Sequence, residues 1–232
     1  MASIFSVLHR KLFILQRIGK KSFYRILHRF NERLQPAEIY CIKKGYHHAK
    51  TSIQFDDRWN ADQWQKKVYE LSAAIMRRNT YRSVIDVGCG SGYKLITLFS
   101  EYETTGIEIS PFYEWLLEKY PDHKWLLFDA VTAGLKADLV ICSDVIEHTV
   151  QPDEFMEFLN SLQFNELILS TPERNIVAGY DDYGPPENPS HFREWNTGEF
   201  KQYVSRFFEI KEHYILPDKS VTQVVICRKN EL

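Results

Sequence analysis

Ser83-Val84-Ile85-Asp86-Val87-Gly88-Cys89-Gly90-Ser91-Gly92-Tyr93 holds a strand, a tight turn and the start of a helix in immediate succession. Val84, Ile85 and Val87 form a short β-branched run, interrupted by Asp86, of the kind that fills the middle of a parallel sheet. Gly88, Gly90 and Gly92 recur at every second position, where the missing Cβ lets the backbone turn sharply and a ligand approach closely. The stretch reads as a nucleotide-binding loop. Its spacing departs from the dinucleotide fingerprint, whose third glycine falls one residue later, and it lacks the Gly-Lys-Ser/Thr ending of a phosphate loop. A nicotinamide dehydrogenase is disfavoured on that ground.

Outward from this loop, short apolar strands alternate with amphipathic helices, which predicts a parallel sheet covered on both faces. Strands are expected over 84–87, 104–109, 124–128, 138–142 and 166–170, with helices over 92–101, from Pro111 to 120, and over 152–162. Residues 171–195 carry four prolines and two glycines and form an irregular excursion of a length that usually carries function. Thr197 reads as the N-cap of a further helix, and two last strands, 209–216 and 222–228, close the chain as a hairpin.

With 232 residues, 44% hydrophobic and 26% charged, the chain suits one α/β domain with an appendage. Its net charge of -2 conceals an asymmetry: residues 1–35 hold eight Lys and Arg against Glu32 alone, so this segment is +7 and the remainder -9. Ile4, Leu8, Leu12, Leu15, Phe23, Leu27, Phe30 and Leu34 recur among those cations at helical spacing, a basic amphipathic helical arm. Three readings fit it: an interfacial helix on anionic lipid at the inner face of a membrane, a transit segment, or a helix packed on its own domain or a second subunit. Pro36 ends the arm; residues 36–60 read as a lid or linker and 61–232 as the main domain, with Asp62 the expected N-cap of a helix to about Arg78. None of the four cysteines has a C-x-x-C partner, which suits a reduced, cytoplasmic setting, with Cys89, Cys142 and Cys227 as buried fillers. No apolar run reaches the roughly 18 residues of a membrane span, and the acidic body argues against nucleic acid as a partner. Oligomeric state is unknown at this level.

Asp86 two residues ahead of Gly88-x-Gly90-x-Gly92 resembles the first motif of class I S-adenosylmethionine-dependent methyltransferases. The resemblance implies a Rossmann-like fold: a mostly parallel seven-stranded sheet with an antiparallel C-terminal strand, helices on both faces, and S-adenosylmethionine as methyl donor. In an open α/β sheet the ligand lies across the carboxyl ends of the strands. There stand Gly88-Cys89-Gly90, then Glu108 and Ile109, then Asp129 and Ala130, then Ser143 and Asp144. Glu108, about 20 residues after the loop, is placed to accept hydrogen bonds from both ribose hydroxyls, and the resemblance implies that Asp129 takes the adenine amino group. Each acid alone reads equally well as a cap or a solvated residue; four in order favour the cofactor.

The stretches D-V-I-E-H (144–148), L-S-T-P-E-R-N (169–175) and G-P-P-E-N-P-S-H-F-R-E-W-N-T-G-E-F (184–200) resemble type 11/type 12 methyltransferases of polysaccharide and glycolipid biosynthesis. The first also resembles ubiquinone-pathway O-methyltransferases, in which the matching residues are implicated in divalent-metal binding. Asp144, Glu147 and His148 stand at i, i+3 and i+4 and share one face if the stretch is helical. Such ligation suits Mg2+ or Mn2+ better than zinc; alternatively Glu147 and His148 merely shape the pocket. A sugar hydroxyl is weakly acidic and needs a base or a metal, and His191 and His148 are the candidate bases. Arg193, Glu194 and Trp195 either bind a sugar, with Trp195 as a stacking face, or pin the loop. The expected activity is O-methylation of a hydroxyl in a glycan or lipid-linked glycan; a quinone precursor or small phenol is the alternative acceptor, and a donor-binding subunit without turnover the alternative class.

Overall fold

Strands β1 (Ser83–Val87), β2 (Glu103–Glu108), β3 (Trp125–Leu127), β4 (Leu139–Ser143), β5 (Glu166–Pro172), β6 (Phe208–Pro217) and β7 (Val221–Lys229) form one sheet in the order β3-β2-β1-β4-β5-β7-β6. They are seen in a computed structural model that describes residues 39–59, 64–131, 133–217 and 221–230. β1 to β5 pair in parallel, while β7 inserts antiparallel between β5 and β6. Helices α1 (Lys66–Arg78), α2 (Tyr93–Leu98), α3 (Phe112–Lys119), α4 (Pro152–Ser161), α5 (Arg174–Val177) and α6 (Thr197–Val204) surround it. This is the Rossmann-like arrangement that the alternating pattern predicted.

The period of two along a strand divides the core between the two faces. Ile85, Val140, Cys142, Leu167, Leu169, Val225 and Cys227 pack with Met156, Leu159, Trp195, Phe200 and Tyr203 on one side. Val84, Leu139, Ile141, Ile168, Val224 and Ile226 pack with Val68, Met76, Leu95, Phe99 and Leu116 on the other. Cys89, Cys142 and Cys227 are all buried, and burial raises each thiol's pKa, so they are held as thiols. Gly106 in β2 lies flat under an indole: a Cβ there would stand 2.3 Å from the ring of Trp125.

Several boundaries move. The helix after the glycine loop is shorter than the apolar pattern suggested, Tyr93–Leu98, with Gly92 as its N-cap at φ 66°. Asn196, not Thr197, caps α6, in a reciprocal capping box with Glu199. Gln65 stands at the N-cap of α1 in a left-handed conformation; the expected cap, Asp62, and the basic arm 1–35 lie outside the described residues. Among the described residues no helix is long and apolar enough to cross a membrane.

From β1 the chain runs outward to β2 and β3 on one side, and the connection after β3 crosses back to β4 on the other side of β1. That reversal opens a crevice beyond the carboxyl ends of these strands, where α/β folds bind ligands.

Candidate active site

A cavity of about 440 Å³ fills this crevice. One wall is the glycine loop, with Gly88, Gly90, Glu108 and Ile109; a second is the end of β4, with Ser143, Asp144, Val145, Glu147 and His148; a third is the long loop, with Asn188, Ser190 and His191; the fourth is residues 52–57 with Trp64 and Gln65.

The glycine loop is bare backbone by necessity. Gly90 has φ +55°, and a Cβ on it would meet Asp57 Oδ2 at 2.2 Å. Its N–H donates to Glu108 Oε2 at 2.8 Å, and Ile109 N–H donates to Oε1 at 2.9 Å. Burial raises the pKa of the Glu108 carboxyl, against the pull of these two donors. Below the loop, Asp86 is fully buried and accepts from Tyr69 Oη at 2.9 Å. Burial pushes its pKa up to about 7, with the Tyr69 hydroxyl and Lys94 opposing.

The opposite wall gathers two imidazoles and two carboxylates. Asp144 and Glu147 do not share a helical face with His148, as the i, i+3, i+4 spacing predicted: Asp144 stands at φ 53° and only Ile146–His148 form a 3-10 turn. The third partner is instead His191, from the long loop. Single ligand atoms of Glu147, His148 and His191 lie within 4.8 Å of one another. Asp144 stands beside them, accepting from Ser170 Oγ at 2.7 Å. Burial raises the proton affinity of Glu147, and Asp144 raises it further; burial also raises Asp144, opposed by Ser170 and His191.

Hydrogen bonds fix both imidazole tautomers. His148 Nδ1 lies 2.8 Å from the Ser190 carbonyl, so it carries the proton and donates. Burial, reinforced by His191, depresses the pKa of His148 to about 4, which leaves it neutral with its lone pair on Nε2. His191 Nδ1 lies 2.6 Å from Glu194 Oε1 and its Nε2 is 2.9 Å from Asn188 Nδ2. Asn188 Oδ1 accepts from Ser190 N and Oγ, which orients the amide so that Nδ2 faces the ring and His191 also presents Nε2 as acceptor. At His148 the outer hydrogen bond pins Nδ1 and frees Nε2, as in metal-ligating histidines; at His191 Nδ1 is pinned likewise, but Nε2 accepts from Asn188 Nδ2, a bond that an incoming ion has to displace. Glu147 Oε1, fully buried without a hydrogen-bond partner, adds an oxygen donor suited to a divalent ion.

Other expected site residues fall elsewhere. Asp86, Cys89 and Gly92 shape the loop from behind rather than line the cavity: Cys89 packs in the apolar core, and Gly92 abuts Trp125 and Leu116. Asp129 and Ala130 are exposed on a 3-10 turn and lie off the cavity walls. Arg193 and Trp195 pin the loop instead of facing an acceptor. Trp195 is 0% exposed and donates Nε1–H to the Tyr40 carbonyl, while Arg193 donates to the carbonyls of Thr149 and Val150. Glu194 orients His191 and does not reach the cavity. Residues 52–57, within the segment read as a lid or linker, supply a further wall, with the Phe55 ring stacked 6.2 Å from that of His148.

No curated protein matches the chain in sequence. Among solved structures, the methyltransferase domain of the bacterial protein CtHen1-C superposes with a TM-score of 0.57 at 20% identity, over 72% of this chain and 99% of that one. Magnesium protoporphyrin IX methyltransferase from Synechocystis PCC 6803, with S-adenosylhomocysteine bound, gives 0.55 at 17%, covering 78% and 90%. The 1,6-didemethyltoxoflavin-N1-methyltransferase of Burkholderia thailandensis gives 0.54 at 13%, covering 79% and 94%. A family profile described as a methyltransferase domain matches residues 57–212, from the wall segment at Asp57 through the glycine loop and both histidines into β6, and the chain belongs to that family of S-adenosylmethionine-dependent methyltransferases.

Proposed function

We propose that this methyltransferase acts on oxygen, transferring a methyl group to a hydroxyl of a glycan or lipid-linked glycan. The observation that carries the reading is the pairing of a glycine-loop wall with a facing wall of Glu147, His148 and His191 in one cavity. Methyl transfer to an alcohol needs alignment of the acceptor and removal of its proton. When bound, the donor supplies a methyl group already activated by the sulfonium. A divalent ion, held by Glu147, His148 and His191 with Asp144 alongside, would acidify an acceptor hydroxyl. Mg2+ or Mn2+ suits a set that includes carboxylates.

The chain's own residues do the rest. Glu194 and Asn188 hold the His191 ring, and the Ser190 carbonyl holds His148. Asp57, Glu108, Asp144 and Glu147 place four carboxyl groups around the cavity, which disfavours an acceptor bearing phosphate and suits an uncharged polyol. Ile53, Phe55, Trp64 and Ile109, each more than a third exposed, surround the cavity with apolar surface for the face of a sugar ring. A metal-free variant of the reaction is favoured by one contact, the 2.6 Å His191–Glu194 pair, which readies His191 as a general base once an acceptor hydroxyl displaces the Asn188 amide from Nε2.

The test is incubation of the protein with radiolabelled S-adenosylmethionine and fractionated polysaccharides, polar lipids and quinone precursors, with and without chelator. Labelled glycan that disappears with chelator and returns with Mn2+ supports the metal-assisted reading. Chelator-resistant turnover assigns the proton to His191, and label confined to a catechol or quinone precursor replaces the acceptor. Binding of the donor without transfer to any fraction would point to a non-catalytic subunit. The basic segment 1–35 is proposed to hold the enzyme at an anionic membrane face; equal vesicle binding by the chain lacking it would refute that role.

A further inference from the structure

Asp57 belongs to neither the sheet nor its helices, yet its carboxylate lies directly over the bare backbone of Gly90, inside the cavity. The amino-acid moiety of the methyl donor is the part expected to cross that backbone. It carries an ammonium group next to the sulfonium centre, so two positive charges accompany one carboxylate. The pocket is built with the opposite balance. Asp57 and Glu108 line it, Asp86 lies buried beneath with one oxygen lacking a hydrogen-bond partner, and Lys94 is the cation felt at Asp86. Asp57 is close enough to act electrostatically on both of the other acids.

We propose that Asp57 is the counter-ion of the donor's α-ammonium group, brought over the glycine loop by the segment 52–57. This rests on the reading of the cavity as the donor site. Because Asp57 and Phe55 are two residues apart, and Phe55 stacks on His148, the same short segment touches the donor at one end and the acceptor wall at the other. Engagement of the ammonium therefore helps to seat the segment that closes the acceptor side.

The experiment is calorimetric titration of the full chain and of Asp57→Asn with three ligands: S-adenosylmethionine, S-adenosylhomocysteine and 5′-methylthioadenosine, which lacks the amino-acid portion. Loss of a charge-assisted contact should raise Kd for the first two about ten- to a hundredfold. Binding of 5′-methylthioadenosine should not change, which also shows that the variant is folded. Equal weakening of all three ligands would make the residue structural, and weakening of S-adenosylmethionine alone would place it at the sulfonium. Tighter binding by the variant would make Asp57 a plug in the pocket, and unchanged binding would leave it no role; each of these overturns the proposal. A wild-type chain that binds none of the three would instead defeat the donor-site reading itself.

Discussion

Asp86 supports the glycine loop from a fully buried position, and Asp86→Asn tests how that burial couples stability to pH. Its carboxyl is fully buried, and burial lifts its pKa from 3.8 to about 7. Between those values the folded protein keeps the proton while the unfolded chain releases it, so the stabilising effect is complete below about pH 4 and is lost as pH rises toward 7. A shift of roughly three units at 1.36 kcal/mol each sets an upper limit of about 4 kcal/mol on that loss. Asparagine keeps an acceptor for the Tyr69 hydroxyl and has nothing to ionise. Urea denaturation of both proteins at pH 4, 5, 6 and 7, without donor, should therefore show the variant gaining on the wild type by up to about 4 kcal/mol across the series. Other groups titrate alike in the two proteins and cancel in the difference. Parallel stability profiles would refute the argument, since they would mean that Asp86 is ionised in the fold and its charge matched.

Gly90→Ala should lose donor binding by at least about tenfold in calorimetry, because a left-handed backbone and the Asp57 carboxylate leave no room for a methyl group. Trp195→Ala should cost about 3–5 kcal/mol in denaturant unfolding through the cavity it leaves, whereas Trp195→Phe should keep the KM for acceptor. A raised acceptor KM in the phenylalanine variant would return Trp195 to the binding surface. Glu194→Gln should weaken Mn2+ binding about ten- to a hundredfold, read by electron paramagnetic resonance of the free ion, by releasing the ring orientation of His191.

What was legible in the sequence was what is local. The glycine loop, the strand runs and the alternation of strand with helix are set by neighbouring residues, and they led to the correct sheet and to its antiparallel strand. His191 was legible as a candidate because it sits in a long proline-rich loop, and it lines the cavity. Its neighbours stayed open between binding a sugar and pinning the loop for a physical reason: burial is a tertiary property, and nothing in the string Arg193-Glu194-Trp195 shows that all three turn inward. Asp144 misled because helical spacing presumes helical backbone, and a positive φ breaks it. Asp57 and Phe55 lay in the segment read as a lid or linker, but without periodicity nothing in it told which residues would cross over Gly90 and His148.

The two halves of the cavity have different origins along the chain. Gly88, Gly90, Glu108 and Ile109 come from one strand-helix-strand unit, whereas the facing wall is assembled from 52–57, 143–148 and 188–191, joined by main-chain bonds from Ile53 to Pro189 and from Phe192 to Glu147. The facing wall can therefore be exchanged piecemeal, by altering loops, while the strand-helix-strand unit is kept whole and Asp57 ties the two halves together. Such a division lets one scaffold keep a single methyl source and diverge in what it modifies.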